Sequence, residues 1–170
     1  IAQLRQDFAL SVSPGVGIAV QGTSTSYAVQ VLSTGIEPFT GLAALTVTGL
    51  PPGVTAAFMP STLGSSTPGI LTLTTTSSTP VGSNAVEVRA TGQIEGHTVT
   101  RTATITLGVQ APGQTVLIGQ VRDEQDKPLT GVSIKQGGAT ITDLGVTDAG
   151  GNFFIPLSVV GSQVFLIDGS

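Results

Sequence analysis

The chain has no cysteine and no tryptophan, and only one tyrosine, one methionine, one histidine and two lysines in 170 residues. Without cysteine it has neither a disulfide framework nor thiolate chemistry, so stability has to come from packing alone. That suits a bacterial surface protein better than an animal ectodomain. Charged residues make up 9% of the chain, against about 25% in an average soluble protein. Six Lys and Arg against ten Asp and Glu leave no basic stripe to neutralise phosphates, which speaks against a nucleic-acid partner. No apolar run approaches the length of a helical membrane span, about 18 residues or more, and no such span is expected. The mean hydropathy of +0.38 is spread along the chain. The chain opens on Ile1 with neither a basic nor an apolar leader segment, so any secretory signal is expected to have been removed or to lie outside it, and its absence decides nothing.

What remains is glycine (23), proline (10) and threonine (25) among small apolar residues. Hydroxyl groups must supply the solubility that charge does not. β-Branched residues are abundant and no long amphipathic helix can be written, so an all-β fold is expected. The length suits two small domains of about 100 residues or fewer. From Asp7 to Val109 apolar residues alternate with Ser and Thr. Phe8, Leu10 and Val12 share one face of an opening strand that Pro14-Gly15 ends. Tyr27, Val29 and Val31 form the next apolar face, and Ala43, Leu45 and Val47 the one after. Gly49-Leu-Pro-Pro-Gly-Val54 reads as a crossing between sheets. Strands are expected at Val54 to Phe58 and Ile70 to Thr75, with a turn-rich connection over Pro60 to Pro68. Val86, Val88 and Ala90 then point one way. In the last run Val99, Ala103, Ile105, Leu107 and Val109 point inward and Thr98, Thr100, Thr102, Thr104 and Thr106 outward, with Arg101 interrupting the apolar face.

About seven such strands predict an immunoglobulin-like β-sandwich over 7–109. The segments Asp7-Phe-Ala-Leu-Ser-Val-Ser-Pro14, Phe39-Thr-Gly41, Gly49-Leu-Pro-Pro-Gly-Val54 and Ser78-Thr-Pro-Val-Gly82 together resemble the bacterial immunoglobulin-like repeats of large secreted proteins. Such repeats often carry a tyrosine after the Pro-x-Gly turn, and Asn84 occupies that place here. Residues 110–114 read as a linker, beyond which lie nine of the sixteen charged residues. Over 115–170 the order Gly-x-Val, an acidic turn, Pro-Leu-x-Gly-Val and Thr-Asp-x-x-Gly-x-Phe resembles a carboxypeptidase regulatory-like, transthyretin-like domain. The resemblance implies a small non-catalytic sandwich with no peptidase site, and the closing strands usual for it are expected either from a longer natural chain or from another segment that completes the sheet. The expected fold is therefore two consecutive β-sandwich domains, preceded by an arm at residues 1–6.

Candidate sites are few. His97 is the single histidine and cannot build a zinc site or a catalytic triad, so it reads as a hairpin residue. Gly15-x-Gly17 and Gly35 to Gly41 lack a following helix and a Lys, and read as turns rather than phosphate cradles. Asp123, Glu124 and Asp126 share one loop and could hold Ca²⁺ through oxygen ligands; the competing reading is a solvated turn. Asp148 and Asn152 read as turn formers, with calcium as the alternative. Lys127 and Lys135 are the lysines available to an isopeptide bond, and Lys135 with Asp143 is the pairing considered. Ile1, Leu4 and Phe8 give the arm a modest apolar face for strand addition to a neighbour. No enzyme and no cofactor are expected. Three functions follow in order: a stalk, spacer or interaction scaffold of a secreted or cell-surface bacterial protein, a self-assembling fibre subunit, and an adhesin or glycan-binding module. The last is poorly served by a chain without tryptophan. The expected partners are other domains of the same protein or identical subunits.

Overall fold

The computed structural model describes residues 5–138, 140–157 and 163–169, and the regular elements among them are all β-strands. The first nine are β1 (Phe8–Ser13), β2 (Val16–Val20), β3 (Ser24–Ser33), β4 (Ala43–Thr48), β5 (Val54–Met59), β6 (Thr62–Leu63), β7 (Gly69–Thr75), β8 (Gly82–Ile94) and β9 (His97–Gln110). They form two facing sheets of order β1-β3-β7-β5 and β2-β9-β8-β4-β6. With β1, β2, β3, β4, β5, β7, β8 and β9 lettered A, A′, B, C, D, E, F and G, these are A-B-E-D against A′-G-F-C, and the short β6, which follows D in the chain, adds beside C.

Strict alternation along the strands fills the space between the sheets. Tyr27, Val29 and Val31 of β3 and Leu71 and Leu73 of β7 pack against Val86, Val88, Ala90, Ile105, Leu107 and Val109 of β8 and β9, each at most 1% exposed. Burying one such aliphatic side chain contributes about 1.5–3 kcal/mol. The outward positions of the same strands are bridged in pairs, Ser24 with Thr74 (2.8 Å), Thr91 with Thr100 (3.0 Å) and Gln93 with Thr98 (2.8 Å). A two-residue turn at Glu95 and Gly96, both at positive φ, joins β8 to β9, as the right-handed twist of a hairpin favours.

Strand β2 departs from the sequence expectation. Its inward residues are Gly17 and Ala19, while Val16, Ile18 and Val20 are half-buried on the other side. A hydrophobic pattern read for large residues inward therefore misses it. The reason is Tyr27, whose ring lies where a Cβ on Gly17 would be. β2 runs parallel to β9 from Val16 beside Thr106 to Val20 beside Gln110. The short β6, inside the expected loop over 60–68, exists to bury Leu63 (0% exposed) beside β4.

Five further strands follow: β10 (Thr115–Gln120), β11 (Ser133–Gly137), β12 (Thr142–Val146), β13 (Asn152–Leu157) and β14 (Val164–Asp168). β10 pairs with β13, and β12-β11-β14 form a separate three-stranded sheet. Ile134, Phe153 and Ile155 are buried between them, with Leu117, Val121, Leu144 and Leu157 packed around. β12 was not expected, because Thr142, Asp143, Gly145 and Val146 are all exposed and carry no alternation. Of the expected linker 110–114, Gln110 belongs to β9, and the rest is a turn closed from the Gln114 amide to the Ala111 carbonyl (3.1 Å).

Candidate functional site

The acidic loop between β10 and β11 is organised by its own backbone. Asp123 Oδ1 accepts hydrogen bonds from the amides of Gln125 and Lys127, both at 2.9 Å. Asp126, at φ 65°, pairs with Arg122 at 3.1 Å, and Arg122 Nη1 also donates to the Asp126 carbonyl (2.8 Å). Glu124 is exposed. The carboxylates are thus spent on the turn and on Arg122 rather than gathered around one point. Among the described residues no three His, Cys, Asp or Glu side chains come together as a metal site. His97 is exposed at the first position of β9.

Lys135 lies between two acids. Asp143 is its register partner on β12, but the side-chain amine donates instead to Asp168 Oδ2 on β14, at 2.7 Å. The hydrogen bond and charge of Asp168 hold the Lys135 ammonium above the usual lysine range. A protonated, half-exposed amine is the opposite of the neutral nucleophile that amide formation needs, so Lys135 is placed here as an ion-pair partner.

Ile1 and Leu4 lie outside the described residues. From Arg5 onward the arm is tied to its own sandwich: the Arg5 carbonyl accepts from the Glu37 amide (2.6 Å), and Gln6 bridges Glu37. Phe8, assigned to the arm from sequence, is wholly buried with its ring 4.8 Å from that of Phe39. It is a core residue and has no surface to offer a neighbour, because β1 is zipped to β3 from Phe8 onward.

The side-chain cluster with the most convergent polar groups was not anticipated. It forms where β9 meets the C-terminal sheets. Thr106 was expected among the outward threonines, and it does point outward, yet it is 3% exposed because the turn before β13 covers it. Its hydroxyl donates to Asp148 Oδ2 (2.9 Å) and accepts from Asn152 Nδ2 (3.2 Å). Asp148 Oδ1 takes the amides of Gly150 (2.8 Å) and Asn152 (2.9 Å). Asn152 is 7% exposed, and its Oδ1 is buried without a hydrogen-bond partner, on the side of Gly15 and Gln120. A crevice of about 220 Å³ lies beside the cluster, lined by Ala85, Thr104, Ala149 and Gly150 as well. Thr106 could not be told from the four other threonines of its row by sequence. Asp148 and Asn152 were visible only as turn formers.

No protein-family model and no curated protein sequence matches the chain. Among solved structures it is similar to the surface layer protein SbsC, domains 1–6, with 15% identity and a TM-score of 0.47 over 97% of this chain and 26% of that one. It is also similar to BcpA, the major pilin subunit of Bacillus cereus (7% identity, TM-score 0.37, 95% of this chain and 58% of that one). A third similarity is to the CsuC-CsuE chaperone-tip adhesion subunit pre-assembly complex of Acinetobacter baumannii Csu pili (9% identity, TM-score 0.43, 89% and 90%). The chain spans about a quarter of the surface layer structures it matches.

Proposed function

We propose that the chain is a non-catalytic structural piece of a secreted or cell-surface bacterial protein, acting as a stalk, spacer or interaction scaffold. One observation carries this reading. β9 packs one face into the N-terminal core through Ile105, Leu107 and Val109 and lays the other, through Thr106 and Gly108, against the C-terminal sheets. On this reading the chain sets two packed bodies in series, with β9, a strand of the first, lying against the second. The reading takes 7–109 as a bacterial immunoglobulin-like repeat, supported by the A-B-E-D and A′-G-F-C strand order that such sandwiches share. It takes 115–170 as a carboxypeptidase regulatory-like, transthyretin-like sandwich, supported by the order of its turns and apolar runs along the sequence. Its partners are then neighbouring domains of the same protein. None of the seven aromatic rings is exposed, which weighs against glycan stacking.

The second reading, a fibre subunit assembled by strand addition, has its own support. Ile167 shares the inward face of its sheet with Ile134 across the ladder, yet is 58% exposed where Ile134 is 0%. Among the described residues three strands face only two, and Val164, Leu166 and Ile167 of β14 are exposed. Solution mass and negative-stain imaging of the purified chain decide between them. A single monomeric species across a wide concentration range supports the spacer. Regular filaments that vanish when residues 1–6 are deleted overturn it in favour of assembly.

A further inference from the structure

Bodies in series joined by a short connector swivel by default unless the contact between them is extensive or specific. The connector here has no slack. Val20 pairs with Gln110, the Gln21 amide donates to the Gln110 carbonyl (2.9 Å), and the Ala111–Gln114 turn is closed twice, the second time from the Ala111 amide to Gln114 Oε1 (3.2 Å). Thr115 is already paired with Leu157.

A tight connector alone leaves rotation about its own axis. Two contacts away from that axis oppose it. The first is polar, Thr106 to Asp148 and Asn152, and both sides of it are anchored. Thr106 donates its amide to the Gly15 carbonyl (2.8 Å) and accepts the Tyr27 hydroxyl on its own carbonyl (3.2 Å). Asp148 is held by the Gly150 and Asn152 amides. The second is steric, for the Phe154 ring, 9% exposed, occupies the place a Cβ on Gly108 would take. Opposite faces of β13 thus serve different bodies, Phe153 and Ile155 packing inward and Phe154 seating on β9. The crevice beside Thr106 leaves the packing on that side incomplete, which places weight on these two contacts.

We infer that the junction is a rigid joint, in which Thr106, Asp148, Asn152 and the Phe154–Gly108 contact fix the angle between the N-terminal sandwich and the C-terminal sheets. It deepens the spacer reading and rests on it for its use, as a stalk of set direction rather than a flexible tether.

The chain has no native cysteine, so spin labels at Thr48→Cys and Thr142→Cys report one inter-body distance by electron–electron double resonance on the full chain. The expected result is a single narrow distance distribution. Thr106→Val, which keeps the shape and removes the hydroxyl, broadens it, and Gly108→Ala shifts its mean as the added methyl displaces Phe154; circular dichroism checks that each variant is folded. A broad distribution in the labelled chain with no further substitution overturns the inference whether or not the variants fold, and so does a distribution unmoved by both. Broad distances in a monomer would leave the spacer reading standing as a flexible one. Narrow distances in a chain that forms filaments would keep the joint and remove the spacer.

Discussion

Arg101 Nη2 reaches both carboxylate oxygens of Asp7, at 2.7 and 2.9 Å, while Nε of the same side chain donates to the Phe8 carbonyl at 3.0 Å. The interruption that Arg101 makes in the apolar face of β9 is thereby explained: it closes the mouth of the sandwich over β1, with its guanidinium 5.9 Å from the Phe8 ring centroid. Both partners keep part of their surface in water, so the ion pair is screened. Arg101→Met, which keeps the apolar stem, is expected to cost about 1–2 kcal/mol for the lost charged donors. Denaturant unfolding with and without added salt checks it. A midpoint unmoved in low salt would show that the clamp contributes nothing.

Phe8 offers a sharper test of the strand-addition arm. Phe8→Ala is expected to destabilise the fold by about 3–5 kcal/mol, as for a large aromatic removed from a packed core. It should leave the association state of the folded fraction unchanged. Sedimentation of the variant reads this. Loss of assembly with unchanged unfolding midpoint would put Phe8 back on the arm.

Tyr27 is the chain's single tyrosine, and there is no tryptophan to mask it. Burial pushes its hydroxyl up to about 12, opposed in part by a backbone hydrogen bond with Gly17. The folded value lies above the unfolded value of 10.0, so the folded chain holds the phenolic proton more tightly than the unfolded one. The corresponding stability is fully present below pH 10 and is lost as pH rises toward 12. Tyrosinate absorbance should therefore rise with a midpoint near 12, or jump where the chain unfolds. A midpoint near 10 in the folded chain would refute the burial. Gly17→Ala, which drives a methyl into the same ring, is expected to cost about 1–3 kcal/mol by overpacking.

Large alternating side chains made most of the N-terminal sandwich legible in the sequence. Tyr27 to Val31 and Val86 to Ala90 announce strands because each buries every second residue, and Ile105 to Val109 because large apolar side chains alternate with small ones. β2 was illegible for the converse reason: its buried positions, Gly17 and Ala19, are small because a tyrosine from another strand fills the space. The joint was illegible because its meaning is tertiary. Thr106 differs from Thr104 only in what the chain 42 residues later lays over it, and no local pattern encodes that. The acidic loop was visible, whereas its use of Asp123 to hold two backbone amides depends on a turn geometry that composition does not fix.

Lys135 should remain a free amine. Its pairing with Asp168 raises its affinity for the proton, so the ion pair is present below the ordinary lysine value and is lost as pH rises through the raised one. An intact mass equal to the sequence mass is expected, and a deficit of one water would show that condensation with Asp168 or Asp143 has occurred. Lys135→Met should leave the unfolding midpoint nearly unchanged, since both partners of the pair keep contact with water.

Asp123 holds its loop with one oxygen and two amides, which is the work a cation would otherwise do for the carboxylate. Asp123→Ala leaves the amides of Gln125 and Lys127 without that acceptor. Both are close enough to solvent to be rehydrated, so the expected cost is only about 1 kcal/mol. Millimolar Ca²⁺ should leave the melting temperature of the unaltered chain where a chelator leaves it, because a ligand that binds only the folded state must raise stability with its concentration. A rise with Ca²⁺ that Asp123→Ala abolishes would mean that the loop opens its turn to bind the ion, and the backbone-capping role argued for Asp123 would fall.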